Sequence, residues 1–229
     1  SNGEIWMAST IAGGIINYDR SNGTFYSYWC DTVKTESWAN RITFIHENRT
    51  GKLLIGTYKG LFVFEQVARK YIPIQPQGEL DEVLHNAHLT CITEDSIGNV
   101  WVGSNSGLFK LNQTGHVLHR YMHNKNEISS LVNIEIIGLY NNPVDNGNSL
   151  WIITNMGLKK FYTSSGEIKS YNNDLKDPKC IAFRAISDIL LDENGMLWAT
   201  AGFGVVRDNL NDNPYSQFQI GPFPPETHL

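Results

Sequence analysis

The chain has 229 residues, of which 41% are hydrophobic and 18% are charged, a composition that supports a packed core and argues against wholesale disorder. Its net charge of -5 argues against a non-specific nucleic-acid binder, because such a protein needs a basic face to displace counterions. We therefore expect a folded protein without a nucleic-acid partner.

Cysteine spacing and hydropathy indicate whether the chain has disulfides, a membrane span or a signal peptide. Cys30, Cys91 and Cys180 lie far apart with no C-x-x-C, so they predict no disulfide framework and leave the redox compartment open. No apolar run approaches the roughly 20 residues that span a bilayer, and the start shows no signal peptide. The letters "SN" before "GEIW" look like a cloning remnant. We therefore expect an excised piece that reaches a membrane only through the missing parts of its parent.

One pattern recurs five times along the chain. It consists of a glycine, a short run with a large apolar residue, a second glycine and a further apolar run. The large residues lie 47 to 50 positions apart, at Trp6, Leu54, Trp101, Trp151 and Trp198. Such even spacing predicts a repeat architecture. We place the repeats at about 1–40, 41–87, 88–134, 135–184 and 185–229.

Each repeat predicts four short strands. An apolar run comes first, as in residues 41–48 and 89–95, and a polar turn that ends in glycine follows it. The Trp run, a second glycine turn, a third apolar run and a fourth run with Tyr or Phe complete the unit. Four short strands in roughly 45 residues, with no helical periodicity between them, are typical of a β-propeller blade.

The predicted fold class is therefore all-β, a β-propeller of four-stranded antiparallel blades with about five blades present. Each blade should pack on its neighbours, so we expect the first strands to be apolar on both faces and the repeated Trp residues to fill the core. The first repeat begins at its second strand, because no apolar run precedes Gly3. The sequence thus supplies four first strands and five of each later kind.

Residues 92–112, "ITEDSIGNVWVGSNSGLFKLN", resemble the two-component regulator propeller repeat. The match rests on an Asp, a glycine three positions later, a Trp in the next strand and a second glycine turn, here Asp95, Gly98, Trp101 and Gly107. The second repeat carries Leu54 in place of Trp, the fourth has a longer turn, the fifth departs at "AGFG", and the first matches least. In aggregate the resemblance covers almost the whole chain.

The resemblance implies a role as well as a fold. Members of that family form the periplasmic sensor of hybrid histidine kinases, which typically carry two seven-bladed propellers, an immunoglobulin-like domain, a membrane helix and a kinase, and respond to glycan fragments. By this resemblance we expect a periplasmic, ligand-sensing propeller without catalysis or cofactor. Its expected partners are an oligosaccharide and the remaining blades and domains of the parent protein.

The number of repeats bears on assembly. Five units are too few for seven blades, so we expect a fragment of a larger propeller, while closure in trans or an unusual five-bladed ring stays open. An open fragment would expose unpaired strand edges, which favours a homodimer.

The sequence holds only weak patterns for catalysis or metal binding. His116, His119 and His123 fall in a predicted fourth strand, where odd separations point to opposite faces, and His85 and His88 lie in a predicted linker without nearby ligands. No nucleophile or phosphate-loop motif is present, so we predict no metal site and no reaction. Two alternatives to glycan sensing stay open: a protein-interaction scaffold, and a metal-dependent, lyase-like propeller enzyme with a His and an acid on one face.

A ligand would bind where the propeller loops meet. Loops from a fourth strand to the next first strand, and from a second to a third strand, share one face, and Arg, Asn and aromatic side chains on them suit a sugar. Alternatively, Asn105 and Asn155 simply form turns, and Arg41 and Arg184 pair with neighbours. The predicted ligand-binding residues are Trp38, Asn40, Arg41, Tyr58, Lys59, His88, Asn105, Asn133, Asn155, Arg184 and Phe203.

Overall fold

The computed structural model describes residues 4–11, 13–32, 37–121, 135–155, 157–171, 186–192, 195–201, 204–209 and 217–219. These residues form five antiparallel sheets, in each of which strands that are consecutive in the chain pair with one another. The chain divides into two compact units, residues 1–139 and 140–229.

The first unit contains three sheets and an α-helix. Within the described residues the first sheet has three strands, which correspond to the second, third and fourth strands of the other two sheets. This is the strand pattern that the sequence predicts. The elements are β1 Ile5–Ala8, β2 Ile15–Asp19, β3 Thr24–Tyr28, β4 Ile42–Glu47, β5 Leu53–Thr57, β6 Gly60–Glu65, β7 Lys70–Pro73, α1 Glu79–Asn86, β8 Leu89–Glu94, β9 Val100–Ser104, β10 Gly107–Leu111 and β11 Val117–Tyr121.

The remaining two sheets have four strands each, and the second unit contains them except for the first residues of β12. A buried cluster around Trp151 and Leu197 forms the core of this unit. The strands are β12 Ile136–Asn141, β13 Ser149–Thr154, β14 Gly157–Tyr162, β15 Ile168–Tyr171, β16 Asp188–Leu191, β17 Met196–Ala201, β18 Gly204–Asn209 and β19 Gln217–Gln219.

Glycine marks the turns as the sequence predicts. A positive φ, which L side chains adopt only with strain, occurs at the glycine of the turn before the Trp run and again at the glycine that opens the third strand. The residues are Gly51, Gly98, Gly147 and Gly195 in the first set, and Gly60, Gly107, Gly157 and Gly204 in the second.

The most deeply buried strands are the second strands of the sheets, not the first. Every residue of β5, β9 and β13 is buried, whereas β4 and β8 contain mostly half-buried residues. The expectation that neighbouring blades cover both faces of the first strands therefore does not hold for β4 and β8. A first strand is an edge of its own sheet, while a second strand has a hydrogen-bonded neighbour on both sides.

Apolar residues of adjacent sheets form the core of the first unit. Trp6 of the first sheet packs edge-on against Phe64 of the second, with 5.1 Å between ring centroids. Leu54, which replaces Trp in the second repeat, joins a buried cluster with Val102 and Phe109 of the third sheet. The repeated large residues at these positions therefore pack between sheets, as predicted.

Helix α1 was not predicted, because the sequence shows no helical periodicity between the strands and His85 was placed in a linker. The carboxylate of Asp81 fastens this helix to the third sheet, because its Oδ1 accepts a hydrogen bond from Val117 N–H at 2.7 Å and its Oδ2 lies 2.9 Å from His116 Nδ1. Leu84 is buried in the core. Two turns of helix are too short to show a clear apolar period, and tertiary contacts of this kind supply most helix stability.

The Asp and Trp of the repeat form one hydrogen-bonded unit in the third sheet. Asp95 is only 2% exposed. Its Oδ1 accepts hydrogen bonds from the backbone N–H groups of Ile97 at 3.2 Å and Asn99 at 2.8 Å, and its Oδ2 accepts one from Trp101 Nε1 at 2.8 Å. The carboxylate thus closes the turn between β8 and β9 and fixes the buried indole.

Other repeats carry different residues at the positions of Asp95 and Trp101, and their hydrogen bonds differ. In the second sheet Asn48 takes the place of the Asp, its Oδ1 closes the turn, and Leu54 offers no indole N–H to bind. In the fourth sheet Asn142 stands at this position, and the buried Nε1 of Trp151 has no hydrogen-bond partner among the described residues. A carboxylate is therefore the acceptor that suits both the turn and the indole.

We expect Asp95→Ala to lower the free energy of unfolding more than Asp95→Asn does. Alanine leaves the turn N–H groups and the indole N–H without an acceptor, and each unsatisfied buried donor costs about 1–3 kcal/mol. Asparagine keeps one acceptor for the turn but sets its own amide donor against other donors. Urea unfolding measures both losses, with Ser96→Ala as the exposed neighbouring control. Equal unfolding free energies for Asp95→Ala, Asp95→Asn and Ser96→Ala would contradict this role of the Asp95 carboxylate.

Candidate functional site

Two sets of loops lie together at one end of the strands in the first unit. The turn between β5 and β6 is hydrogen-bonded to the residue that precedes β4, since Tyr58 N–H donates to Arg41 O at 3.1 Å. The third sheet repeats the arrangement, since Asn105 N–H donates to His88 O at 3.1 Å. The structure therefore brings these four predicted site residues to the same end of adjacent sheets.

Trp38, Tyr58 and His88 form a row of rings across this end, which we call the aromatic row. The ring centroids of Trp38 and Tyr58 are 5.6 Å apart with a tilt of 33°. The rings of Tyr58 and His88 stack at 4.0 Å with an angle of 16°. Trp38 is 55% exposed, so the row opens to solvent at the Trp38 end.

Two cationic side chains accompany the row. The Cζ atom of Arg41 lies 4.3 Å from the ring centroid of Trp38, a distance at which the ring stabilises the cation. The Nε atom of Arg41 is buried and has no acceptor among the described residues. Lys59 follows Tyr58 in the turn and is exposed. The row therefore carries hydrogen-bond donors and positive charge at the end where its rings are exposed.

The chain positions Trp38 through a single 3-10 turn, Trp38–Asn40. Ser37 Oγ accepts a hydrogen bond from Ala39 N–H at 3.3 Å. Asn40 is fully buried, its Oδ1 accepts from Asp31 N–H at 2.9 Å, and its Nδ2 donates to Asp31 O at 2.8 Å. The amide of this predicted site residue is thus engaged in holding the linker that presents Trp38.

His88 is oriented by its neighbour in the third sheet. The Oδ1 atom of Asn105 accepts a hydrogen bond from His88 N–H at 3.2 Å. Partial burial lowers the pKa of the His88 imidazole, and the nearby carboxylate of Glu135 acts in the opposite direction with a smaller effect. At neutral pH the ring is therefore neutral and offers one N–H donor and one acceptor nitrogen.

A hollow of about 320 Å³ adjoins the row and is lined in part by Lys59, Ser37 and His85. Sequence reasoning missed His85 as a site residue because it missed helix α1. The signal that could have shown the helix is three acidic residues in its first turn, which favour a helix N-terminus. Cys30 also lines the hollow, and burial raises the pKa of its thiol to about 12, which makes it a poor nucleophile.

The remaining four predicted site residues lie in the second unit or outside the described residues. Asn155 is exposed in the turn between β13 and β14, in the second unit. Asn133, Arg184 and Phe203 lie outside the described residues. The structure therefore joins Trp38, Arg41, Tyr58, Lys59, His88 and Asn105 into one site, with Asn40 as their support.

The histidines considered as metal ligands do not converge in the described part of the chain. His116 precedes β11 and lies against Asp81, His119 lies within β11, and His123 is outside the described residues. Over those same residues, no group of three or more His, Cys, Asp or Glu side chains could hold a metal ion. The described residues contain no helix that is long and apolar enough to cross a membrane.

A larger cleft of about 610 Å³ lies on the second and third sheets and is lined in part by Gln66, Ile72 and His116. Two of its polar side chains already have partners, since Gln66 Nε2 donates to Gly51 O at 3.3 Å and His116 lies against Asp81. None of the predicted site residues lines it. We therefore regard the aromatic row, whose donors lack partners in the described structure, as the better candidate site.

Comparison with protein families supports the repeat assignment. The model of the two component regulator propeller matches residues 84–106, which contain β8, the Asp95 turn and Trp101. This confirms the resemblance drawn from the sequence. No curated protein matches the chain by sequence.

Solved structures with the same fold include two extracellular domains and a lyase. The extracellular domain of BT4673 from B. thetaiotaomicron, described as a one component system, is 21% identical with a TM-score of 0.72, over 97% of this chain and 30% of that one. The extracellular domain of the hybrid two component system BT3049 from B. thetaiotaomicron is 20% identical with a TM-score of 0.70, over 95% and 27%. Virginiamycin B lyase from Staphylococcus aureus is 16% identical with a TM-score of 0.65, over 98% and 69%.

These likenesses establish the fold. The all-β, propeller-type architecture with antiparallel blades predicted from the sequence is confirmed, and the sheets can be called blades. The chain spans less than a third of the two extracellular domains that it matches.

Proposed function

We propose that this chain is a ligand-sensing propeller segment of a hybrid two-component sensor, and that it binds glycan fragments at the aromatic row without catalysing a reaction. In this proposal the segment lies in the periplasm, and the parent protein supplies further blades, a membrane helix and a histidine kinase. The propeller repeat at residues 84–106 supports it, as does the likeness in fold to the extracellular domains of BT4673 and BT3049.

The observation that carries the proposal is the aromatic row with its unpartnered donors. Sugar sites combine aromatic surface with a few fixed polar groups, and Trp38, Tyr58, His88 and Arg41 supply both on loops held by rigid blades. Backbone hydrogen bonds from Tyr58 and Asn105 fix these loops. A site with such little freedom loses little conformational entropy when a ligand binds.

A lyase-like role has less support, although one structure of this fold is a lyase. Such a role needs a His and an acid at one site. The carboxylate of Glu135 lies near His88, but within the described residues it forms no hydrogen bond to the His88 ring. His116 has one, but it lies at the other end of the strands, where its partner Asp81 anchors helix α1.

Protein binding has a specific observation in its favour and is the second candidate. Phe25 and Tyr26 on β3, the outer strand of the first blade, are 62% and 43% exposed. Exposed aromatic residues on an edge strand suit a protein partner. Because β3 contributes no residue to the aromatic row, single substitutions can separate the two candidates.

Thermal shift against a broad panel of oligosaccharides tests the proposal. We expect a saturable rise in Tm for at least one sugar, corresponding to about 2.7 kcal/mol at a ligand concentration 100 times Kd. Trp38→Ala should abolish the rise while the ligand-free Tm stays close to wild type, because the side chain is largely exposed. Phe25→Ala, the matched exposed aromatic control, should keep the rise. Silence across the panel, or an undiminished rise in Trp38→Ala, would refute the proposal.

A further inference from the structure

The polar groups of the aromatic row are mainly donors. The guanidinium of Arg41, the ammonium of Lys59 and the indole N–H of Trp38 donate hydrogen bonds and cannot accept them. Among the described residues, none of these three groups has a hydrogen-bond or ion-pair partner from another side chain. A neutral sugar hydroxyl both donates and accepts, so a site rich in donors alone suits a ligand rich in acceptors. Carboxylate and sulfate groups are such acceptors.

Arg41 is the best-positioned of these donors. Its guanidinium lies over the Trp38 ring at 4.3 Å, and its Nε is shielded from water without an acceptor. A guanidinium in this environment gains more from an anion than one in bulk water does, because the local dielectric is lower. Its planar donors also match a carboxylate or sulfate group in a bidentate geometry.

The packing of the rings also favours a ligand that is rich in hydrogen-bond acceptors. One face of Tyr58 is stacked on His88 at 4.0 Å, and Arg41 covers a face of Trp38. These faces are occupied by the protein and cannot stack on a pyranose ring. Polar edge groups of the row, Tyr58 O–H and Trp38 N–H among them, therefore contribute more to binding than stacking on these covered faces does.

Charge is distributed unevenly along the row. Arg41 and Lys59 lie at the Trp38 end, whereas the carboxylate of Glu135 lies near His88 at the other end. Asp31 lines the adjoining hollow together with Lys59. An anionic group is therefore favoured at the Arg41 end, and sugar hydroxyls are favoured near His88, where a neutral imidazole and a carboxylate offer acceptors.

We infer that the aromatic row selects a saccharide that carries a carboxylate or sulfate group, with that group on Arg41 and Lys59 and its hydroxyls towards Tyr58 and His88. The inference rests on the proposed function, and it adds the chemical class of the ligand. The chain as a whole carries a net charge of -5, so this preference arises from the local pair of cations and not from a general attraction for anions.

Isothermal titration with matched sugars tests the inference. The charged ligands are oligogalacturonides and sulfated chondroitin oligosaccharides, and the neutral ones are galactose oligosaccharides of equal length and desulfated, carboxyl-reduced chondroitin. We expect at least one charged ligand to bind at least tenfold more tightly than its neutral counterpart, a difference of about 1.4 kcal/mol in binding free energy. Its affinity should fall as salt is raised. Because sulfated chondroitin carries both groups, comparison with desulfated chondroitin, which keeps only the carboxylate, shows which oxyanion is preferred.

Substitutions show which residues cause the preference for charged over neutral sugars. Arg41→Gln should reduce the charged-to-neutral ratio to near one, and Lys59→Gln should reduce it partly. Arg20→Gln and Lys70→Gln, exposed residues of the same types away from the row, should leave it unchanged. If neutral and charged sugars bind equally and Trp38→Ala removes both, the inference is wrong and the proposed function stands. If no sugar of either kind binds, both are wrong.

Discussion

Replacing Trp101 by Ala is expected to lower the free energy of unfolding by about 3–5 kcal/mol, the usual cost of removing a buried aromatic side chain. Trp101 is fully buried, and its indole N–H bonds to the carboxylate of Asp95, itself 2% exposed. The substitution therefore leaves a cavity and also strips the carboxylate of one donor. Urea unfolding followed by circular dichroism measures the loss.

Two further variants make this result specific. Trp101→Phe keeps much of the volume but not the N–H donor, so its loss should lie between wild type and Trp101→Ala. Trp38→Ala removes the same side chain from an exposed position, and its loss should stay below about 1 kcal/mol. Similar losses for Trp38→Ala and Trp101→Ala would contradict the separation of structural from ligand-binding tryptophans.

Gly60→Ala is the second substitution with a large expected effect. Gly60 has φ of +90°, and a Cβ there would lie 2.3 Å from the backbone oxygen of His85 in helix α1. The N–H of Gly60 also donates to Ala87 O at 3.0 Å, which ties the second blade to the linker of the third. A methyl group must therefore displace backbone on both sides, and we expect a loss of several kcal/mol.

Gly51→Ala is the matched control for this effect. Gly51 also has a positive φ, +77°, but a Cβ there would meet no atom within 4 Å. Its loss should be limited to conformational strain, roughly 1–2 kcal/mol. The difference in unfolding free energy between the two variants isolates the steric contact with α1. If both variants lose the same unfolding free energy, Gly60 does not approach helix α1 as closely as described.

Much of the fold follows from short-range chemistry, and so the sequence could predict it. Glycine at positions with positive φ, such as Gly98 and Gly107, marks turns because other residues are strained there. The Asp95 carboxylate and the Trp101 indole belong to one hairpin, so they recur at a fixed spacing. Local rules of this kind predicted the strands, including the three of the first blade, and the core role of the large residues.

Other features depend on contacts that no spacing rule reveals. Helix α1 is held by Asp81 against His116 and Val117, which lie 35 and 36 positions away. The relative burial of first and second strands depends on which strands are edges, not on composition alone. The apolar run of β4 therefore looked as if it were covered on both faces.

The candidate site was predictable in part from local rules and depends in part on distant contacts. The sequence predicted that the loops of Trp38, Tyr58 and His88 share one face, because the blade topology places them there. It could not predict that the rings stack in one row or that Arg41 lies over Trp38, because equivalent positions in other repeats carry different residues. Asn40 looked like a ligand group from its type alone, whereas its burial and its two bonds to Asp31 engage it in the linker.

Hydrogen–deuterium exchange with and without a saturating concentration of the tightest-binding oligosaccharide tests the central claim most directly, because it locates the ligand without a substitution. The account predicts new protection in peptides that cover residues 37–42, 57–60 and 86–89, which form the aromatic row and its support. Protection confined to residues 63–77 and 112–117, around the larger cleft, would contradict it, and so would a protein that no oligosaccharide protects.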